Sequence, residues 1–154
     1  RQTVLFAGYL NNEELKELCE IAQAIAAQSK AFSLKTKEII FAPPSRTPRM
    51  LWLSIQDSDD YNNLVKGIEK EVLRQQKERG IFRGVRISSR PPHPHITLAR
   101  FHESDWPSIQ QKMRHFKINL PQIKESFEVK SIDIMKSTLM RAGAKYEKIL
   151  GIKL

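Results

Sequence analysis

The sequence predicts an α+β protein built from two similar lobes, each an antiparallel sheet with helices packed on its outer side. Strand-like and helix-like patterns alternate along the 154 residues. A short x-x-Thr-apolar pattern also occurs twice, at residues 1–6 and 95–100, and each copy opens a strand that runs toward a helix. Two related half-domains facing each other across an active-site cleft would explain this repetition.

Apolar spacing and capping residues predict the elements in the first half of the chain. Residues 3–8 form a short apolar strand, with Phe6 in the core. Asn11 and Asn12 suit a helix N-terminus, and the two glutamates that follow favour its positive end. Three further segments are predicted as a strand, a proline-rich loop and a strongly apolar strand: residues 32–42, 43–48 and 50–55.

A second helix begins within residues 57–60, and Gly80 lies where it can end. After a loop at residues 88–94, residues 95–101 form the next strand. The helix presents one apolar stripe to the core: Tyr61, Leu64, Val65, Ile68 and Val72.

A third helix begins at Ser104 or Asp105, with Phe116 among its inward residues. Residues 127–139 form one long strand whose apolar phase slips near Ser131, which indicates a bulge. A turn and a last strand follow, at residues 142–144 and 146–154.

The net charge of +9 favours an anionic partner. Between Arg79 and Arg100 there are five arginines and no acidic residue. A positive field of this kind attracts phosphate, so nucleic acid or a nucleotide is the expected partner. No apolar run approaches the roughly 20 residues that span a bilayer, so no membrane partner is expected. The lone cysteine, Cys19, excludes an intramolecular disulfide, which suits a cytoplasmic protein; a monomer is expected.

The segment from His95 to Arg100 (HITLAR) carries the candidate chemistry. In a strand, His95 and Thr97 project from the same face, whereas strict alternation places Arg100 on the opposite face. The imidazole can pass a proton near neutral pH, and the hydroxyl can hold an oxyanion. His93 and His95 could suggest a metal pair, but Pro94 separates them and no acidic or cysteine cluster completes a shell. Neither a metal nor a cofactor is therefore expected.

With these residues the chain resembles the two-histidine (2H) phosphoesterase superfamily, and in particular its LigT-like RNA 2',3'-cyclic phosphodiesterase branch, also called 2'-5' RNA ligase-like. That family carries two His-x-Thr/Ser-apolar motifs, and the second is intact at residues 92–100 (PHPHITLAR). Residues 46–53 (RTPRMLWL) resemble the family's arginine- and proline-rich loop and the strand that follows it. The likeness covers residues 1–154 as a single domain. Landmarks near the end resemble its closing hairpin: Ser137, Thr138, Leu139, Gly143 and Tyr146.

The chain departs from the family at the first motif. Members usually read His-x-Thr-apolar-x-Phe-apolar-Gly, whereas residues 1–8 here read RQTVLFAG, so Arg1 stands where the first histidine belongs. Members also begin with another strand and helix before this motif, and both are missing here. Two explanations stay open: the sequence starts inside a longer protein, or the protein carries a genuine arginine at this position.

The resemblance implies hydrolysis of RNA or nucleotide 2',3'-cyclic phosphates to 2'-phosphates by metal-independent histidine acid/base catalysis, with 2'-5' ligation as the reverse reaction. It makes His95 the acid or base, Thr97 and Thr3 the phosphate-binding hydroxyls, and Arg100 a cation for the substrate phosphate. Arg1 departs from the family, and its permanent charge suits it to bind the substrate phosphate. A guanidinium stays charged and cannot carry the proton. A genuine Arg1 therefore predicts a slow enzyme, or a non-catalytic module that binds RNA ends or nucleotides. In a third interpretation, the protein is a basic RNA-binding domain in which His95 is structural.

Two other features allow more than one interpretation. Thr3 and Thr97 could be ordinary strand threonines, since β-branched residues favour strands. Trp52 is interpreted as core or cleft wall, with stacking on a nucleobase as the alternative.

Overall fold

The structure is a computed structural model that describes residues 2–88, 93–141 and 143–154. Over these ranges it contains α-helices, strands and one 3₁₀ turn (Glu103–Asp105), which fits the predicted α+β class. The helices and strands are, in chain order, α1 (Asn12–Ala27), β1 (Phe32–Ala42), β2 (Met50–Ile55), α2 (Asp59–Arg79), β3 (His95–Arg100), α3 (Trp106–His115), β4 (Ser126–Val129), β5 (Ser131–Met140) and β6 (Gly143–Lys153).

The chain divides into two compact units, and the predicted two-lobed α+β class is confirmed. The first unit comprises Arg1–Thr3, Leu34–Asp57 and Pro92–Phe127; the second comprises Val4–Ser33, Ser58–Pro91 and Glu128–Leu154.

The first unit is built on a four-stranded sheet in the order β3-β2-β1-β4, in which β2 runs antiparallel to both β1 and β3. The predicted bounds of β1 and β2 are confirmed. Thr36 of β1 is buried, and its hydroxyl donates to the Ile123 carbonyl (2.6 Å) and accepts from the Glu125 amide (2.8 Å). These bonds hold the segment that leads into β4 against β1.

On one face of this sheet, aromatic side chains from three segments pack together. The ring centroid of Phe41 lies 4.7 Å from that of Trp106 in α3 and 6.2 Å from that of Phe101. Trp106 and Ile109 of α3 are half-buried. This face is therefore covered by α3, and the candidate site residues described below lie on the other face.

The second unit contains α1, α2 and the antiparallel β5–β6 hairpin, and α1 contacts both α2 and β6. The predicted cap of α1 is confirmed: the Asn11 side chain accepts from the Glu14 amide (2.9 Å), and the Asn11 amide donates to the Glu14 carboxylate (3.0 Å). Helix α2 starts after Ser58 and ends at Gly80, whose φ of 68° is the left-handed conformation that glycine tolerates. Its predicted apolar stripe is buried: Tyr61, Leu64, Val65, Ile68 and Val72.

The loop after α2 is held by side chains from both helices. Phe82 is fully buried with a φ of 59°, which is sterically costly for a bulky residue. Its amide donates to the Glu14 carboxylate (2.8 Å). The Gln76 amide group donates to the carbonyls of Phe82 (2.6 Å) and Val85 (2.8 Å). These bonds from both sides keep the unusual backbone in place.

Two predictions near the chain start are wrong. Residues 3–8 do not form a strand, because the pairing in this region is an isolated antiparallel bridge between Gln2 and Ile96, and a strand needs a continuous ladder of partners. Phe6 is 78% exposed and is not a core residue.

Two predictions in the second half also need correction. Residues 127–139 are not one strand with a bulge: β4 and β5 belong to different sheets, and the apolar phase slips where the chain passes from one sheet to the other at Lys130. Phe116 is 66% exposed, because α3 ends at His115 and Phe116 lies past its packed stripe. The last strand starts at Gly143, three residues before its predicted start. Part of the predicted loop (residues 89–92) and part of the predicted turn (residue 142) lie outside the described residues.

Candidate active site

His95 opens β3 and is paired in register with Ser54 of β2. Its Nδ1 lies 2.8 Å from the carbonyl oxygen of His93. Because a carbonyl only accepts hydrogen bonds, the neutral ring carries its proton on Nδ1, and Nε2 holds the basic lone pair. Within the described residues Nε2 has no hydrogen-bond partner, and the side chain is half-buried. The imidazole can therefore accept a proton at Nε2 and, once protonated, donate it from there.

Trp52 lies against this imidazole. The two rings are stacked with centroids 3.7 Å apart and an interplanar angle of 18°. Trp52 is half-buried, and its indole Nε1 is a buried donor that has no hydrogen-bond partner in the described part of the chain. Trp52 is thus part of the immediate environment of the candidate proton carrier.

The register of β2 and β3 places His95 and Thr97 on one face of the sheet. Thr97 is opposite Trp52, and residues opposite each other on paired strands share a face. The Thr97 side chain is half-buried. The surface presents a titratable ring and a hydroxyl together.

A β-bulge brings Arg100 to the same face. Leu51 pairs with Ala99 and Trp52 with Thr97, so β3 contains one extra residue, Leu98, relative to β2. Beyond Leu98, each side chain of β3 therefore lies on the face opposite to the one that regular alternation predicts. Arg100 is opposite Met50, and its Nη1 lies 3.1 Å from the Met50 Sδ. The expectation that Arg100 projects from the face opposite His95 is therefore wrong, since it assumed unbroken alternation.

Thr3 lies near His95 by register. The bridge between Gln2 and Ile96 is antiparallel, and counting one residue along each segment sets Thr3 beside His95. The Thr3 side chain is exposed. Arg1 lies outside the described residues, so its predicted role stays a prediction.

Arg79 and Arg100, at the two ends of the basic stretch, differ in their acidic partners. Arg79 is paired with Glu17 (2.6 Å) and Glu13 (3.9 Å), which partly neutralise its charge. Arg100, by contrast, has no carboxylate partner within the described residues, and its side chain is exposed. The cation on the His95 face is therefore available to an anion.

Within the described ranges, no group of three or more histidine, cysteine or acidic residues is placed so that it could hold a metal ion. None of the helices there is long and apolar enough to cross a membrane.

Sequence reasoning selected His95, Thr97 and Arg100 as candidates and interpreted Trp52 as core or cleft wall, but it missed two contacts of His95. The carbonyl of His93, which fixes the tautomer of His95, is a backbone group that every residue has, so the sequence does not reveal this contact. The contact of Trp52 with His95 depends on strand register, which the sequence of either strand alone does not contain. An aromatic residue in the strand paired with a candidate catalytic strand is the one signal that could have suggested it.

The family model described as the 2'-5' RNA ligase superfamily matches residues 3–139. The chain belongs to this superfamily. The match includes the whole of β1, β2 and β3. It begins after Arg1, so it does not test the departure at the first motif.

Curated relatives of this superfamily member are named RNA 2',3'-cyclic phosphodiesterase. One from Geobacillus stearothermophilus is 28% identical over 152 residues, covering 99% of this chain and 44% of the relative. One from Aquifex aeolicus (strain VF5) is 26% identical over 144 residues, covering 94% of this chain and 72% of the relative. The chain thus spans less than half of the first relative and about three quarters of the second.

Solved structures share the fold of this superfamily member. TT0787 of Thermus thermophilus has a TM-score of 0.80 at 21% identity, covering 99% of this chain and 76% of that chain. E. coli LigT complexed with 3'-AMP has a TM-score of 0.70 at 22% identity, covering 99% of this chain and 75% of that chain. The likeness to LigT-like phosphoesterases supports the two-lobed α+β class.

Proposed function

We propose that the protein hydrolyses RNA-type 2',3'-cyclic phosphates to terminal 2'-phosphates, and that His95 carries the proton. The observation that carries the proposal is the ring of His95, whose Nδ1 is bound to a backbone carbonyl while Nε2 is unpartnered within the described residues. The names of curated relatives, which align with nearly all of this chain, support the choice of substrate.

In the proposed reaction, a water oxygen bonds to phosphorus and the bond from phosphorus to the 3' oxygen breaks. The water loses a proton and the 3' oxygen gains one, so one base and one acid are required. His95 can fill either role through Nε2. Its fixed tautomer leaves this atom, rather than Nδ1, to face the reacting group.

Thr97 and Arg100 stabilise the negative charge in this proposal. As phosphorus becomes five-coordinate, charge collects on its non-bridging oxygens, and donors aimed at them lower the barrier. The Thr97 hydroxyl and the Arg100 guanidinium share the face of His95. Thr3, next to His95 by register, is the proposed second hydroxyl.

The second proton-transfer group depends on the residue at the first motif. If Arg1 is the native residue at the first motif, it binds phosphate but transfers no proton. Loss of one acid/base group costs about 10²–10⁴ in rate. We therefore propose slow turnover for the protein with Arg1, and faster turnover when that position holds histidine.

The test compares the protein with its His95→Gln and Arg1→His variants. Adenosine 2',3'-cyclic phosphate and a short RNA ending in a cyclic phosphate serve as substrates, and ³¹P NMR identifies the product. We expect a 2'-phosphate product, a loss of turnover of at least about 100-fold in His95→Gln with ligand binding retained, and a higher rate in Arg1→His. Unchanged turnover in His95→Gln would contradict the proposal.

The same experiment decides the second candidate, a non-catalytic module that binds RNA ends or nucleotides. The arginine at the first motif favours it, since it supplies a phosphate ligand without a proton carrier. Binding of a nucleoside 2'-phosphate without turnover, together with activity gained in Arg1→His, would support this candidate and exclude hydrolysis by the protein with Arg1.

A further inference from the structure

We infer that Trp52 is a positioning residue for His95, and that the face of its indole, rather than its N–H group, performs this role. The inference rests on the proposed function, in which His95 transfers the proton. It gives a role in the reaction to a residue whose position in an apolar strand is otherwise explained by packing alone.

Two contacts define the orientation of the imidazole. The bond from Nδ1 to the His93 carbonyl fixes one edge of the ring. A single hydrogen bond leaves the ring plane free to tilt, because the second side-chain torsion of histidine has broad energy wells. The indole of Trp52, 3.7 Å away and inclined by 18°, restricts this tilt. Together the two contacts aim Nε2 in one direction.

The stack serves both protonation states of the ring. A neutral imidazole packs on the indole as one aromatic ring on another. A protonated imidazole is a cation over the face of tryptophan, the side chain that attracts cations best in this geometry. The position of Nε2 is therefore maintained before and after proton transfer.

The indole N–H of Trp52 makes no hydrogen bond within the described residues. Its Nε1 is buried. A buried donor without a partner reduces stability, and phenylalanine would keep an aromatic face against His95 without that cost. The imidazole also covers one face of Trp52, and a nucleobase cannot stack on that face.

The chain provides a matched control, because its other tryptophan packs on the opposite face of the same sheet. Trp106 lies against Phe41, whose strand partner Leu51 precedes Trp52 by one residue and so points the other way. Trp106→Leu removes the same side chain from the same unit without touching His95.

The kinetic test compares Trp52→Leu, Trp52→Phe and Trp106→Leu. We expect kcat to fall about 10- to 100-fold in Trp52→Leu with KM changed less than about twofold, since a misplaced catalytic group costs rate rather than binding. Trp52→Phe keeps a stacked ring and should retain kcat within about threefold, and Trp106→Leu should retain it as well. Equal kcat values in Trp52→Leu and Trp106→Leu would overturn the inference.

A spectroscopic test requires neither turnover nor a folded Trp52→Leu variant. In a Trp106→Phe protein, Trp52 is the sole tryptophan, and a stacked imidazolium quenches indole fluorescence. We expect the indole emission of Trp106→Phe in acid to be weaker than that of Trp106→Phe/His95→Gln, because only the first protein holds the quenching ring against Trp52. An emission that does not respond to His95 would refute the stack.

The outcomes separate this inference from the proposed function. If His95→Gln keeps full turnover, the proposed function fails. If His95→Gln loses turnover while Trp52→Leu keeps it, only the role of Trp52 fails.

Discussion

The bulge at Leu98 implies that Arg100 takes part in catalysis, whereas a regularly alternating strand would not. Because the extra residue turns Arg100 to the face of His95, Arg100→Ala should weaken catalysis on a phosphate substrate. An exposed ion pair contributes about 0.2–1 kcal/mol, and a hydrogen bond to a charged group about 1.5–3 kcal/mol. Arg100 is exposed but has no competing carboxylate in the described ranges, so we expect about 1–2 kcal/mol. This corresponds to a fall of about 5- to 30-fold in kcat/KM.

The assay measures kcat/KM for a 2',3'-cyclic nucleotide at one fixed ionic strength, since phosphate binding depends on salt. Arg46→Ala is the control: it removes the same charge from the exposed loop before β2 and should change kcat/KM by less than about twofold. Arg100→Lys tests whether charge alone is enough. If Arg100→Ala stays within about twofold of the parent, or if Arg46→Ala falls as far, the placement of Arg100 on the reactive face is wrong.

Two further predictions concern stability and metal dependence. Gln76→Ala leaves the carbonyls of the buried residues Phe82 and Val85 without their donor, so it should lower the free energy of unfolding, measured by urea titration, by about 1–3 kcal/mol. The control, Lys77→Ala, changes an exposed side chain and should alter that free energy by less than about 0.5 kcal/mol. Equal effects of the two substitutions would show that the loop does not depend on Gln76. Incubation with EDTA should leave turnover unchanged, since the proposed chemistry uses imidazole proton transfer; activity that is lost and then restored by a divalent cation would contradict that mechanism.

The strands and helices with strong periodicity could be predicted from the sequence. Alternation over residues 32–42 and the apolar run at residues 50–55 gave the bounds of β1 and β2. Asn11 and Gly80 marked the two helix ends that their capping chemistry favours. In these segments local preference and tertiary packing agree, so the residues themselves contain the information.

The errors arose where pairing between distant segments decides the outcome. The apolar slip near Ser131 fits a bulge or a change of sheet equally well, and only the partners of β4 and β5 distinguish them. Residues 3–8 have strand composition, yet the bridge at Gln2 does not extend into a ladder. Strand propensity is a weak guide when the partner is unknown.

The candidate site shows the same division. The sequence identified His95, Thr97 and Arg100 as residue types suited to phosphate chemistry. It could not place Arg100, because Leu98 is compatible with either a regular strand or a bulge. It could not pair Trp52 with His95, because that contact requires the register of β2 against β3.

The most direct test of the central claim is NMR of the histidine rings in ¹⁵N-labelled protein, with and without a nucleoside 2'-phosphate. His95→Gln assigns the signals of His95. Without ligand, we predict the tautomer with the proton on Nδ1. On ligand binding, we predict a change at Nε2 while the Nδ1 bond to the His93 carbonyl persists. A proton on Nε2 in the free protein, or a bound ligand that leaves the Nε2 signal unchanged, would contradict the account.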